Sequence, residues 1–166
     1  MSQCKQNTSD ANRYDEMERK TLEDKIVWSK SRKLQWKDFV YKPNEKAFKI
    51  YAKVGLSTRY NVDPPIQYRS KTTFSPTESI VSDTTNGNDL RVAQLKFDLL
   101  ETYRRRMEKE VDSLRVLKLT DLQSSDLDEL VNRYYNDFES EWNSYKHTFS
   151  ISKLDSLESK IKSIVE

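Results

Sequence analysis

Glycine is almost absent from this chain: Gly55 and Gly87 are the only two in 166 residues. Phosphate-cradling loops need several glycines in register, so Walker-type and dinucleotide-binding motifs are excluded together. Cysteine is scarcer still. Cys4 stands alone, which rules out an internal disulfide framework. It reads either as an incidental thiol or as the lipid-bearing cysteine of a lipoprotein, tethered through the polar stretch after it. His147 is the single histidine. A Ser-His-Asp triad would have to use it, and no serine sits in a nucleophile elbow. No apolar run approaches the ~20 residues that span a bilayer. No basic start followed by an apolar stretch marks a signal peptide, which keeps a cytoplasmic location as an alternative.

What is present suits one domain with a lean core. Apolar residues make up 35% and charged residues 34%, while aromatics reach 11% with nine Tyr and three Trp, too many for wholesale disorder. The net charge of +2 hides a division. Residues 26–74 carry 11 Lys or Arg against 3 Asp or Glu (+8), and residues 119–166 carry 5 against 10 (−5). Either the halves offset each other once folded, or the basic half faces an anionic partner: a membrane surface, an anionic envelope polymer or an acidic protein.

Residues 1–21 are polar and read as a mobile tail with a short helix near Met17. From there to residue 166 the pattern is that of one domain, with strands over about 26–81 and helices over about 89–165. "AFKIYAKVGLSTRYNV" alternates, placing Phe48, Ile50, Ala52, Val54, Leu56 and Thr58 on one side and Lys49, Tyr51, Lys53 and Arg59 mostly on the other, with Gly55 permitting a bulge or bend. "VDPP" breaks the chain, and "IQYRSKTTF" resumes a period of two, antiparallel to the strand before it. After an Asn-Gly turn, Asn88 or Asp89 is expected to cap a helix. Ala93, Phe97, Leu100, Met107, Val111 and Leu114 then recur at steps of three, four and seven, widened by Leu95, Leu99 and Tyr103. A second helix is expected from a Ser125–Asp128 capping box, and a third through Ile151 to Val165. Strands first and helices afterwards define an α+β fold: a small antiparallel sheet packed on a long amphipathic helix, followed by two further helices.

The stretches "IVWSKSRKLQWKDF" and "QLKFDLLETYRRRMEKEV" carry a resemblance. Trp28, Ser29, Arg32, Leu34, Trp36, Asp38 and Phe39, with Gln94, Phe97, Asp98, Glu101 and Arg105 on the helix, resemble a bacterial family of small zincin-like cell-envelope peptidases of unknown function. In that family a His-Glu-Gln-x-His-Phe-Asp helix carries zinc. Here Val92 stands for the first histidine, Ala93 for the glutamate base and Lys96 for the second histidine. Two side chains one helical turn apart can share an ion, but an aliphatic group and an ammonium cannot. The resemblance therefore implies a zincin-like scaffold without metal or cofactor, in the cell envelope, either periplasmic or lipid-anchored.

The expected function is a non-catalytic binding or adaptor protein. It would hold a protein, a peptide or an anionic envelope partner through the basic strands (Lys49, Lys53, Arg59, Arg69, Lys71) or through the vacated cleft near Val92 and Lys96. A structural subunit contributing its helices to an assembly, and a hydrolase using paired carboxylates such as Asp98 and Glu101, are the alternatives. Those two acids read as surface charges or partners of Arg105, and Arg104–Arg106 as a solvated, paired face. Tyr51, Tyr60 and Tyr68 among basic residues could stack nucleic-acid bases, but packing is the commoner use, and nucleic acid is the least favoured partner.

Overall fold

A computed structural model of the chain describes residues 6–61, 66–118, 122–146 and 150–165. The fold is α+β, with four α-helices among the described residues, α1 (Gln6–Leu22), α2 (Gly87–Lys118), α3 (Ser124–Lys146) and α4 (Ile151–Val165). Six strands lie between α1 and α2: β1 (Ile26–Val27), β2 (Val40–Tyr41), β3 (Ile50–Tyr51), β4 (Val54–Tyr60), β5 (Tyr68–Phe74) and β6 (Ile80–Val81). They form two three-stranded sheets where one was expected. The first has the order β1-β5-β4 and is antiparallel. The second has the order β2-β6-β3, with β2 parallel to β6.

The single strand expected over residues 48–58 is split between these sheets. Its first part pairs with β6 and its second with β5, and the chain crosses at Ala52–Lys53. Hydroxyl and amide groups of the loop before β6 hold the crossing: Lys53 N donates to Ser79 Oγ (2.9 Å), and Ser75 N donates to Lys53 O (2.9 Å). Gly55 is not the bend. It pairs in register with Thr73, whose hydroxyl donates to Gly55 O at 3.1 Å.

The 32-residue α2 is the central element, packed against β3, β4 and β5 on one side and α3 and α4 on the other. Its apolar stripe follows the expected period: Ala93, Leu95, Phe97, Leu99, Leu100, Tyr103, Met107 and Val111 are all buried. Phe74 of β5 lies against Phe97 and Phe39, while Phe138 of α3 meets Tyr103. A smaller cluster closes the far end, where Met107 and Val111 meet Ile66, Leu122, Leu127 and Leu130.

Both helix starts differ from expectation by a residue or two. Asn86 caps α2, its side-chain oxygen accepting from Asn88 N at 3.1 Å, so Asn88 and Asp89 lie inside the first turn. At α3, Asp126 reaches back to the backbone N of Gln123 at 2.9 Å, and Asp128 instead accepts the Tyr60 hydroxyl. The polar stretch expected as a tail is helical from Gln6, and its acids lie against the first sheet.

Candidate functional site

Successive residues of α2 face different partners, and that divides its chemistry into two sides. Gln94, Asp98, Glu101 and Arg105 fall at steps of four, three and four, so they line one face. Trp28 Nε1 donates to Asp98 Oδ1 at 2.7 Å, and Gln94 Nε2 donates to the same oxygen at 2.8 Å. Gln94 Oε1 in turn accepts from Leu34 N at 2.8 Å. Arg105 lies over the Trp28 ring, 5.3 Å from its centroid. Within the opening segment, Asp38 accepts from Arg32 Nη2 and from Gln35 N, both at 2.7 Å. Gln94, Asp98 and Arg105 therefore fasten the segment to α2 at Trp28 and Leu34, while Arg32 and Asp38 brace it internally.

Asp98 and Glu101 are not surface charges. Asp98 is 8% exposed and Glu101 2%. Glu101 accepts from Arg104 Nε and Nη2 (both 2.8 Å), from Arg105 Nε (2.9 Å) and from Thr72 Oγ1 on β5 (2.9 Å). Burial pushes its carboxyl up, but the hydrogen bonds from Arg104 and Arg105 outweigh that and hold it below the usual carboxylate range. Arg104 spans to Glu108 (2.6 Å) and to Ser70 O, and its own pKa is raised first by Glu101. The third arginine, Arg106, lies over the Tyr103 ring. Arg104 and Arg105 are ion-paired as expected, but Arg104 is inward rather than solvated.

The other side of α2 opens on a cleft of about 640 Å³. Val92, Ala93 and Lys96 form one wall, the run from Phe48 to Val54 a second, and Tyr135, Glu139, Trp142 and Asn143 of α3 a third. Val92 and Lys96 lie one turn apart on the same face, so the degenerate motif positions do line a cavity. Lys96 Nζ donates to Ala52 O at 3.2 Å and sits 5.7 and 5.8 Å from the ring centroids of Tyr51 and Trp142. The Tyr135 hydroxyl donates to Val54 O at 3.4 Å. Burial raises the Tyr135 pKa, and the charge of Glu139 adds to it. Lys49, Lys53 and Lys96 bring three ammonium groups against the two carboxylates of Asp89 and Glu139. One Asp89 oxygen is buried without a hydrogen-bond partner among the described residues.

This donor set does not fit a zinc ion. A methyl-bearing pair and an ammonium already engaged with a carbonyl replace the ligands and base that the resemblance implies. Among the described residues no group of three or more His, Cys, Asp or Glu is placed to hold a metal. Cys4 and His147 lie outside the described residues.

The expected basic surface divides in two. Lys49 and Lys53 belong to the cleft. Arg59, Arg69 and Lys71 lie on the outer face of the first sheet, where Arg59 and Lys71 are ion-paired to α1. Tyr60 and Tyr68 stack on each other on the inner face, their hydroxyls turned to Asp128 and to the Met107 sulfur, so they are not a platform among the basic groups. Trp142 is buried and Tyr145 half-buried, so the two do not form a large exposed apolar patch. The α3 contribution to the cleft was not anticipated. Trp142 reads as core from its helical period, and the i, i+4, i+7 set of Tyr135, Glu139 and Trp142 was the available signal.

Comparison with protein-family models, with curated proteins and with solved structures finds no match to this chain. Among the described residues no helix is long and apolar enough to cross a membrane.

Proposed function

We propose that this chain is a non-catalytic binding protein of the bacterial envelope that holds an extended protein segment in the cleft between α2, α3 and the β3–β4 run. The observation that carries this reading is the cleft itself: a cavity with room for several side chains, lined by the three residues aligned with the metal-site positions of the resembled family. β3 and β4 are each the last strand of their sheet, and β-strand addition needs an edge. The carbonyls of Ala52 and Val54 accept long side-chain hydrogen bonds from Lys96 and Tyr135, which the amides of an added strand could replace. Val92, Ala93 and Trp142 would seat an apolar side chain, while the excess of ammonium groups favours a segment carrying a carboxylate.

The reading assigns no step of hydrolysis to the cleft. Neither Asp98 nor Glu101 faces a second acid across an open space; each is consumed by donors from the surrounding fold. The test is selection of binders from a library of extended acidic peptides on the wild-type chain, followed by measurement on Lys96→Glu and Val92→Glu. Loss of affinity by about tenfold or more in each variant is the expected result. Equal binding to all three proteins would place the contact elsewhere. Peptide cleavage by a zinc-loaded sample, abolished by a chelator, would replace binding with catalysis.

A further inference from the structure

The outer face of the first sheet carries a charge arrangement that the cleft does not explain. Arg59 and Arg69 are directly opposite each other in the β4–β5 register, and Lys71 is on the same face, opposite Ser57. Like charges placed across two strands repel each other and weaken the pairing. This cluster is met by α1. Asp15 and Glu18, three residues apart and so on one side of the helix, reach Arg59 Nη1 at 3.0 and 3.4 Å. Glu18 also reaches Lys71 Nζ at 2.9 Å. Arg59 lies over the Tyr14 ring, 5.3 Å from its centroid.

Little else holds α1 where its side chains are described. Between Arg13 and Leu22 no side chain is fully buried, and Tyr14 and Met17 are exposed. Exposed ion pairs are weak and screened by salt, and an isolated helix of this length is marginal in water. Arg69 is exposed and makes no ion pair among the described residues, so it meets the described acids of α1 only through the longer-range field of Glu18.

We infer that the Arg59–Arg69–Lys71 face is a docking surface for an acidic helix of a partner protein, and that α1 occupies it as a detachable intramolecular stand-in. The partner's signature follows from α1 itself: two carboxylates one turn apart, as at Asp15 and Glu18, with a third acid to reach Arg69. Such a helix outcompetes α1 by adding an ion pair to Arg69, which no described acid of α1 reaches. The hydrogen bond from Lys71 holds the Glu18 carboxyl below its usual range, with the charges of Lys71, Arg59 and Arg69 acting in the same direction. The α1 contact is therefore strongest with Glu18 ionised.

The test uses the full chain and a labelled synthetic peptide copying residues 6–22. In an Asp15→Lys, Glu18→Lys double variant the tethered helix is repelled, and the peptide is expected to bind about tenfold tighter than to wild type, with loss at high salt. Adding Arg59→Glu and Lys71→Glu should abolish that binding. No gain in the double variant, or binding that survives the two added reversals, overturns the proposal. Vesicles containing phosphatidylserine form a second arm. Binding of vesicles without binding of the peptide would assign the face to an anionic surface and overturn the partner-helix reading. Hydrogen exchange on the wild-type chain gives an independent check. The α1 amides should exchange far faster than those of β5, and equal protection would contradict a detachable helix.

Discussion

Replacing Glu101 with Gln probes the part of the structure that holds its layers together. The substitution keeps size and shape but removes the charge that two guanidinium groups share. Glu101 is buried and joins α2 to β5 through Thr72, and to the opening segment through Arg105, which in turn covers Trp28. Removing one partner of a buried pair costs about 3–5 kcal/mol, chiefly because the charge left behind has no counterpart. Arg104 keeps Glu108 as a counterpart and Arg105 is partly open to solvent, so the lower end, about 3 kcal/mol, applies here. For a domain of this size that corresponds to a fall in Tm of about 6–12 °C.

The pH dependence gives the sharper test. The Glu101 carboxyl is held below its usual range in the folded chain, so its contribution is complete above the unfolded pKa and disappears as pH falls through the folded value. Urea unfolding followed by tryptophan fluorescence should therefore show the full wild-type–variant gap above about pH 5, narrowing below about pH 4. A gap that stays constant or widens toward acid would refute the assignment. So would a gap under about 1 kcal/mol at neutral pH, which is what an exposed pair contributes.

Trp28→Phe keeps the ring under Arg105 but removes the donor to Asp98; a loss of about 1–3 kcal/mol and faster exchange of amides over residues 28–39 are expected. Phe97→Ala empties the centre of the core between Phe74 and the helices and should cost about 3–5 kcal/mol by chemical denaturation. The Glu18 carboxyl, depressed by Lys71, stabilises α1 docking above the ordinary carboxylate range, and that stability is lost as pH falls through its folded value. Exchange of the α1 amides should therefore rise relative to β5 below about pH 4.

The long helix was legible because α2 buries a continuous stripe against sheet and helices on both sides, and its sequence repeats at helical spacing. Glu101 was not. A glutamate with arginines three and four residues on has the same spacing whether the face meets water or β5, and the Thr72 contact that settles the matter lies 29 residues away. The sheet switch at Ala52–Lys53 is hidden for a different reason. Side chains keep alternating through the crossing, so a period of two continues although the hydrogen-bond partner changes from β6 to β5. The docking of α1 left no periodic signal, because charge pairs 41 and 44 residues apart hold it rather than an apolar stripe. The cleft was half legible: Val92, Ala93 and Lys96 stood out through the resemblance, while the α3 wall was hidden among core aromatics.

Hydrogen exchange of the full chain, alone and saturated with an acidic extended peptide selected on it, tests the central claim most directly. The account predicts new protection over the β3–β4 run, at residues 50–54, together with the α2 turn that carries Val92 and Lys96, and no cleavage of the peptide. Protection confined to the outer sheet face or to the far sides of α3 and α4, with residues 50–54 unchanged, would contradict it.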